Sequence, residues 1–386
     1  MHMKNNKNSF YLEKYLSGSY DNCGDFKAFN PSFINHPWRW EDPELNSLLA
    51  KANIELGALN SYSELIKKID VYIVMHIQVE ANKSNKIEGT HTTIQEDMMD
   101  IEDVLPERKD EILEIQNYVS ALNHGIKRIT FDDFPFSSRL IRELHKILLT
   151  GVRGEHKTPG EFRLTQNFIG GTRPSNAAYV PPAVNRLPEL MSDFDKFMHE
   201  NMNIPVLVKL AMLHYQFETI HPFLDGNGRT GRLIIPLYLL STQELTKPCF
   251  YISSFFDSHK DEYYSKLQRV RTHNEILEWI KFFLKASIDT AIEARRKFQG
   301  ALAIQERYQN YLMRKQYSTD TLRKIILFMY EKPVSDAITI SKSIDISIPT
   351  VNKHLKTLLH DGLITEITGN RRNKIYVLHE YINVFN

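Results

Sequence analysis

Residues 205–243 constrain the fold most strongly, because two apolar runs with helical spacing flank a polar, glycine-rich loop there. They predict a helix over 205–219, a loop, and a second helix over 229–243. Strand signals are sparse before residue 330, so the fold class is predicted to be mainly α. Further helical runs span 61–83, 110–127, 137–151, 187–201, 259–271 and 275–295, and a capping box over Thr93–Glu96 opens another helix.

One stretch, residues 158–182, breaks the helical pattern with paired glycines and prolines. It contains two short runs, Asn167–Ile169 and Ala178–Val180, which the turn residues separate, and these predict a short hairpin-like flap. A solvated connector would have a similar composition. An irregular segment of this length inside a compact domain is, however, often functional.

Length and composition set the broad class of the protein. A chain of 386 residues predicts more than one domain, and 42% hydrophobic with 25% charged residues is typical of a soluble globular protein. The net charge of +1 gives no global attraction to DNA or to an anionic membrane, although a local basic face remains open. Two distant cysteines, a polar start and the lack of an 18-residue apolar run predict a cytoplasmic protein with no membrane span.

The loop between the two apolar helices has the residues of an anion site. Gly226, Asn227 and Gly228 allow successive backbone N–H groups to converge at the N-terminus of the second helix. The guanidinium groups of Arg229 and Arg232 add positive charge that suits phosphate oxygens. A glycine-rich turn before a helix is common, but these residues together predict phosphate binding.

The same loop carries a base and a carboxylate. His221 has a reference pKa of about 6.5, which suits a group that accepts a hydroxyl proton near neutral pH. Asp225 is a candidate ligand for Mg²⁺, which usually takes few carboxylates and completes its shell with phosphate oxygens. Each residue alone has an ordinary structural explanation, but no packing argument requires all of them within 12 residues.

This segment, HPFLDGNGRTGR, resembles in full the signature of the Fic family: His, x, Phe, x, Asp or Glu, Gly, Asn, Gly, Arg, x, x, Arg. The segments LHYQFETI, GEFRLTQNFIGG, YVPP and EYYSKLQRVR are also similar to the family, so the resemblance covers roughly residues 60–295, with a family-like tail. It implies an all-helical Fic core with a short β-hairpin flap. It also implies transfer of AMP from ATP to a Ser, Thr or Tyr hydroxyl of a target protein.

The resemblance further implies roles for individual residues. His221 deprotonates the target hydroxyl, Asp225 places Mg²⁺ on the phosphates, and the flap over 162–180 docks the target backbone by strand addition. Backbone amides and the Asn227 side chain bind the phosphates, and Tyr264 is the candidate for the adenine pocket, with an ordinary core aromatic as the alternative. The implied nucleotide-binding residues are Gly226, Asn227, Gly228, Arg229, Thr230, Gly231, Arg232 and Tyr264.

A second segment, Ser84–Gly89, resembles the inhibitory motif of the family: Ser or Thr, three residues, Glu, then Gly or Asn. Its position upstream of the core resembles the class with an N-terminal inhibitory helix. The resemblance implies that Glu88 pairs with Arg232 and occupies the guanidinium meant for the γ-phosphate. The alternative is an exposed glutamate at a helix end, with Gly89 as the C-cap.

The tail, residues 321–386, predicts a winged helix-turn-helix. Helices over Ile338–Asp345 and Ile348–His360 precede strands over Leu363–Ile367 and Lys374–Leu378. The tail contains nine Lys or Arg against six Asp or Glu, so DNA is one candidate partner, and a protein-interaction or dimer module is the alternative. The basic residues of interest are Lys353, Lys356, Arg371, Arg372 and Lys374.

The predicted organisation is an N-terminal helical region over 1–130, a Fic core over 131–297, a helical linker over 298–320 and the tail. Other Fic reactions stay open, namely UMP transfer, kinase-like phosphate transfer and removal of AMP, as does a DNA-binding regulator with a nucleotide-sensing core. The intact GNGRTGR sequence disfavours the kinase-like variants, whereas Glu88 keeps AMP removal open. Self-modification and a homodimer are also left open.

Overall fold

The structure is a computed structural model that describes residues 10–200, 202–315 and 319–386. Helices dominate the described residues, and the strands are short. The mainly α prediction is therefore confirmed. The helices before the tail are α1 (Pro43–Leu65), α2 (Asp70–Ile87), α3 (Ile94–Asp97), α4 (Lys109–Thr130), α5 (Ser138–Leu148), α6 (Leu187–His199), α7 (Val206–Ile220), α8 (Asn227–Ser241), α9 (Ser253–Ser258), α10 (Lys260–His273) and α11 (Ile276–Arg314).

Four short strands precede α1, where the sequence predicts almost none. The strand β1 (Phe10–Tyr11) pairs in parallel with β4 (Trp38–Arg39), and β2 (Gly18–Asn22) pairs antiparallel with β3 (Lys27–Pro31). The β2 strand is exposed at almost every position, so it lacks the apolar alternation that identifies a strand. Its conformation comes from pairing with β3, which sequence periodicity does not report.

Two helical predictions also differ in extent. The predicted run over 61–83 is divided between α1 and α2, with Lys68 in a left-handed conformation at the break (φ 59°). The predicted linker over 298–320 belongs largely to α11, which is unbroken over its 39 residues. Amphipathic spacing continues through both regions, so periodicity alone does not locate these ends.

The core is organised around α7 and α8. Every residue of α7 from Leu207 to Ile220 is buried, and α8 is buried from Arg229 to Leu240. The two helices pack against each other, α8 packs against α4 and α5, and α7 packs against α6 and α11. The loop over 221–226 therefore lies at the end of two fully packed helices, which hold it in position.

No helix among the described residues is both long and apolar enough to span a bilayer.

The tail forms α12 (Thr319–Glu331), β5 (Val334–Asp336), α13 (Ala337–Ile344), α14 (Ile348–His360), β6 (Thr365–Glu366), β7 (Ile375–Val377) and α15 (His379–Phe385). The strands form an antiparallel sheet in the order β5-β7-β6, with β5 absent from the sequence prediction. The tail packs on the core, because the Tyr72 ring of α2 lies 6.4 Å from that of Tyr330 and 6.3 Å from that of Tyr381. In addition, Lys297 Nζ of α11 donates to the Phe385 carbonyl at 2.8 Å.

Candidate functional site

The loop begins with His221, which ends α7 in a left-handed backbone conformation (φ 50°). Two side chains of the flap hold this conformation. Arg163 Nε and Asn167 Nδ2 each donate a hydrogen bond to the His221 carbonyl, both at 3.1 Å. Arg163 is 1% exposed and also donates to the Pro182 carbonyl at 2.5 Å. The flap and the loop are thus tied together through buried polar contacts.

The imidazole of His221 is poised to accept a proton. Burial and then the Arg271 guanidinium lower the pKa of His221 to about 4, so the ring is neutral near pH 7. Nδ1 lies 3.4 Å from the Glu218 carbonyl, which only accepts hydrogen bonds. This contact assigns the ring proton to Nδ1 and leaves the lone pair on Nε2. A neutral imidazole with an open Nε2 can act as a general base.

Gly226 and Asn227 shape the backbone of the anion loop. Gly226 is left-handed (φ 71°), and α8 begins at the next residue. Asn227 locks the turn, because its side-chain amide exchanges two hydrogen bonds with the Phe223 backbone, each at 2.9 Å. The Thr230 hydroxyl donates a hydrogen bond to the Gly226 carbonyl at 2.8 Å. The first backbone N–H groups of α8 have no intrahelical acceptor, and a helix N-terminus of this kind favours the binding of anions.

Arg232 is brought together with both residues of the second motif. Its guanidinium, 1% exposed as a side chain, donates from Nε to Ser84 Oγ at 2.8 Å and from Nη2 to the Ser84 carbonyl at 2.9 Å. Nη2 also contacts Glu88 Oε1 at 2.6 Å. Burial works to raise the pKa of Glu88, but Arg232 outweighs it and holds that pKa below its ordinary value. Glu88 is therefore an ionised partner of Arg232 near neutral pH.

Gly228 makes the approach of Glu88 to α8 sterically feasible. A Cβ atom at this position would lie 2.3 Å from Glu88 Oε1 and 3.1 Å from Arg232 Nη1. Any side chain there would have to displace one of these charged groups. Lys260 of α10 fixes the C-terminal end of α2, because its Nζ donates a hydrogen bond to the Ile87 carbonyl at 2.6 Å.

Arg229 has a different carboxylate partner, Glu114 of α4, which the sequence does not indicate. Arg229 Nη1 lies 3.3 Å from Glu114 Oε2, and both side chains are at most 4% exposed. Arg153 approaches the other oxygen of Glu114 at 3.5 Å. Burial raises the pKa of Glu114 even though Arg229 and Arg153 work to lower it.

Asp225 presents the carboxylate at the mouth of the loop. Its side chain is 41% exposed, Oδ1 accepts from the Gly226 N–H at 2.6 Å, and Arg229 Nη2 lies 3.9 Å away. No cluster of three or more metal-ligating side chains occurs among the described residues. A single accessible carboxylate beside an anion loop fits Mg²⁺, which is usually held by one or two carboxylates and the substrate's phosphates.

Tyr264, the residue predicted for the adenine pocket, lies on α10. It is 44% exposed, and burial followed by the Glu88 carboxylate raises its pKa, so its hydroxyl lies within electrostatic range of the Glu88–Arg232 pair. Its neighbour Tyr263 is buried and hydrogen-bonds His214 Nε2 through its hydroxyl at 2.9 Å. His214 Nδ1 in turn contacts the Gly231 carbonyl at 3.1 Å. The exposed ring of Tyr264 is thus available at the site, whereas Tyr263 supports α8 from within the core.

The flap is a minimal hairpin closed by one residue pair. Ile169 and Tyr179 exchange two backbone hydrogen bonds, of 2.8 Å and 3.1 Å. Tyr179 is anchored to α7, because its hydroxyl donates to the Thr219 carbonyl at 2.6 Å. On the other side, the Phe29 N–H of β3 donates to the Val180 carbonyl at 2.9 Å. The N-terminal hairpin therefore supports the flap, which was not predicted.

Sequence reasoning missed four residues that shape the site. Arg163 and Asn167 lie in the segment GEFRLTQNF, whose similarity to the family was an available signal, although neither residue was assigned a role. Glu114 gave no signal. Glu218 precedes His221 by one helical turn; burial raises its pKa to about 7, and its Oε1 has no hydrogen-bond partner within the described structure.

Two family profiles match the chain. Residues 135–239 match the Fic/DOC family, and residues 46–127 match the N-terminal region of the Fic/DOC family. The first match contains the flap and the loop with His221 and Arg232. The second contains α2 with Ser84 and Glu88.

Similar curated proteins carry the name protein adenylyltransferase Fic. The protein of Culex quinquefasciatus is 34% identical over 143 residues, which are 36% of this chain and 25% of that protein. The protein of Aedes aegypti is 33% identical over 145 residues, 37% of this chain and 26% of that protein. The chain thus spans about a quarter of the length of these relatives.

Solved structures share the fold. A Fic family protein from Desulfovibrio desulfuricans has a TM-score of 0.54 at 20% identity, over 87% of this chain and 96% of that one. A Fic domain containing signaling protein from Bacteroides thetaiotaomicron has a TM-score of 0.51 at 18% identity, over 66% of this chain and 96% of that one. The likeness to the first protein extends over most of the chain.

Proposed function

Because this chain belongs to the Fic/DOC family, we propose that it transfers AMP from ATP to a hydroxyl group of a target protein. The observation that carries the proposal is the neutral His221, whose ring proton is assigned to Nδ1 so that Nε2 can accept a proton, on the loop that leads into α8. The name of the curated relatives, protein adenylyltransferase, agrees with this reaction.

In the proposed reaction, the target hydroxyl oxygen forms a bond to the α-phosphorus of ATP. The bond from that phosphorus to the bridging oxygen breaks, and pyrophosphate leaves. The hydroxyl proton passes to His221 Nε2. The contact of Nδ1–H with the Glu218 carbonyl stabilises the ring as it becomes cationic. The low pKa of His221 keeps the base unprotonated before the reaction and makes it release the proton readily afterwards.

The phosphates are proposed to lie on the N-terminus of α8, where the backbone N–H groups of Asn227, Gly228 and Arg229 lack intrahelical partners. Arg232 would contribute a guanidinium to the terminal phosphate once Glu88 releases it. Asp225 would hold Mg²⁺ together with phosphate oxygens, and the ion supplies neutralisation of the triphosphate charge. Catalysis then rests on positioning and charge stabilisation, as in other transfers at phosphorus.

The target segment is proposed to dock as an added strand on the flap. The flap segment with Tyr179 and Val180 is paired on both sides, by Ile169 on one side and by Phe29 of β3 on the other. The edge of the Ile169 segment that faces away from Tyr179 is the one proposed to accept the added strand. Ile169 is 38% exposed and offers an apolar contact at that edge. Strand addition supplies affinity through backbone hydrogen bonds, while such side chains supply selectivity.

The test is His221→Ala, measured as incorporation of label from ATP labelled at the α-phosphate. Transfer is expected to fall by about 100- to 10,000-fold, because the hydroxyl would lose its proton acceptor in the transition state. His124→Ala is the matched control, since His124 lies on α4 and pairs with Glu143 outside the site. The assay is run with Glu88 intact and with Glu88→Gly, so that inhibition does not hide the effect.

Two results would reject the proposal. One is His221→Ala transferring label at the rate of the control. The other is covalent label from the γ-phosphate rather than the α-phosphate, which would indicate phosphate transfer instead.

A further inference from the structure

The C-terminal unit, residues 319–386, presents a basic surface that the proposed reaction does not use. Lys353 and Lys356 are exposed on α14, and Arg371 and Arg372 are exposed in the loop between β6 and β7, called the wing here. None of these four side chains has an ion-pair partner among the described residues. Unpaired basic groups on one small unit are free to meet an anionic partner.

The geometry of the unit directs α14 outward. Asp336 caps α13 by accepting from the Thr339 N–H at 2.6 Å, and Asp345 ends α13 in a left-handed conformation (φ 53°). These turns set α14 against α13 and α12, with Val351, Leu355 and Leu358 buried on its inner face. The opposite face, with Lys353 and Lys356, is exposed to solvent, as are Arg371 and Arg372 of the wing.

The contacts of the unit with the core use other faces. Tyr330 of α12 and Tyr381 of α15 pack on α2. Two acidic residues also point toward the core: Asp361 pairs with Lys315 at 2.7 Å, and Glu380 pairs with Arg307 of α11. Lys332 also turns to the core, where it pairs with Asp100 at 2.8 Å, so the contacts with the core engage both signs of charge and leave Lys353, Lys356, Arg371 and Arg372 unpaired among the described residues.

We propose that this C-terminal unit binds duplex DNA through the outward face of α14 and the wing. An α-helix fits the major groove, and a basic loop beside it reaches the adjacent phosphate backbone. Lysine and arginine side chains that neutralise phosphates release counterions, and this term supplies most of non-specific DNA affinity. The proposal is independent of the transfer reaction.

A protein partner is disfavoured by the distribution of apolar side chains on the same helix. Ile348 and Leu359 are 41% and 37% exposed and lie at opposite ends of α14. Eleven residues of α-helix separate them by about 16 Å along the axis. They do not form the continuous apolar patch that a protein interface usually needs.

The experiment measures fluorescence anisotropy of a labelled duplex of about 30 base pairs, roughly three helical turns, titrated with the full-length protein. Salt is varied from about 50 mM to about 200 mM, a range over which phosphate contacts weaken steeply. The test variant combines Lys353→Ala, Lys356→Ala, Arg371→Ala and Arg372→Ala. The matched control combines four exposed lysines outside the unit, Lys51→Ala, Lys127→Ala, Lys146→Ala and Lys157→Ala.

The wild type and the control are expected to bind with micromolar affinity at low salt, as non-specific DNA binding does. The test variant is expected to bind at least about tenfold more weakly, with a shallower dependence of log K on log salt, because each lost phosphate contact removes about 0.9 from that slope. Absence of binding by the wild type at low salt would overturn the proposal. So would equal weakening in the test and control variants, which would point to general charge rather than to this surface.

Discussion

Two arginines on the first turns of α8 meet carboxylates from different helices, and the two pairs are built differently. Arg229 meets Glu114 of α4 at 3.3 Å, and both side chains are at most 4% exposed. Arg232 meets Glu88 at the end of α2 at 2.6 Å, with the carboxylate side chain 32% exposed. The first pair is enclosed by the protein, and the second opens onto the site.

The energetic balance of the two carboxylates also differs. At Glu114 burial prevails over the attraction of Arg229, so its pKa lies above the ordinary value. At Glu88 the attraction of Arg232 prevails over burial, so its pKa lies below the ordinary value. Enclosed ion pairs often contribute little net stability, because desolvation offsets attraction. The Glu114 pair is thus closed to a ligand from solvent, whereas the Glu88 carboxylate is accessible, and this difference underlies the predictions that follow.

Among variants of these two pairs, the largest expected effect is a gain of activity in Glu88→Gly. Arg232 stays charged at any ordinary pH, so it must choose between the carboxylate and the terminal phosphate. Removal of Glu88 should free it and align the triphosphate, and because a misplacement of about 1 Å can cost about 100-fold, the rate should rise on that order. The measurement is α-label incorporation into the protein itself or into a lysate.

Arg232→Ala serves as the control for this gain. It removes the inhibitory pair and the phosphate partner together, so no gain is expected from it. If Glu88→Gly labels no faster than wild type while it still folds and binds ATP, the inhibitory role of Glu88 is wrong, and a role in removing AMP gains support.

A smaller gain is expected from Gly228→Ala. The new Cβ would lie 2.3 Å from Glu88 Oε1, so the carboxylate must move away from α8. Labelling should rise by about tenfold, or about 1.4 kcal/mol, and less than in Glu88→Gly because the Cβ also crowds Arg232. In the Glu88→Gly background the same substitution should lower labelling. A gain of equal size in both backgrounds would show that it acts independently of Glu88.

The smallest effect concerns stability at pH 7, in Glu88→Gln compared with Glu114→Gln. A depressed carboxyl pKa stabilises the fold above the unfolded pKa, and this contribution is lost as the pH falls through the folded value. Glu88→Gln should therefore lower the melting temperature by a degree or two, since such a pair contributes on the order of 1 kcal/mol. Glu114→Gln should lower it less, because a raised pKa means that ionisation of Glu114 costs stability as the pH rises.

Thermal unfolding of both variants beside wild type gives this comparison directly. A larger loss in Glu114→Gln would show that the unpaired charge left on Arg229 dominates. Repeating the scans near pH 4 should bring Glu88→Gln and wild type closer together, because the Glu88 contribution fades in that direction.

Features carried by short contiguous segments could be predicted from the sequence. The segment from His221 to Arg232 consists of one loop and the first turns of α8, so its twelve residues identify it without distant contacts. The helix-turn-helix positions are similarly local, and helices were found at 337–344 and 348–360. The break at Lys68 and the strand β2 were missed, because amphipathic periodicity does not resolve a short interruption or an exposed strand.

The amino-acid sequence alone determines which reactive groups the protein has: a base, a carboxylate and two guanidinium groups within twelve residues, with a glutamate motif far upstream. Only folding decided which partners these groups meet. The Glu114–Arg229 contact spans 115 residues, and it exists because α4 and α8 bury their apolar faces against each other. The protonation state of His221 likewise follows from burial and from Arg271, fifty residues later, since local sequence carries no measure of desolvation.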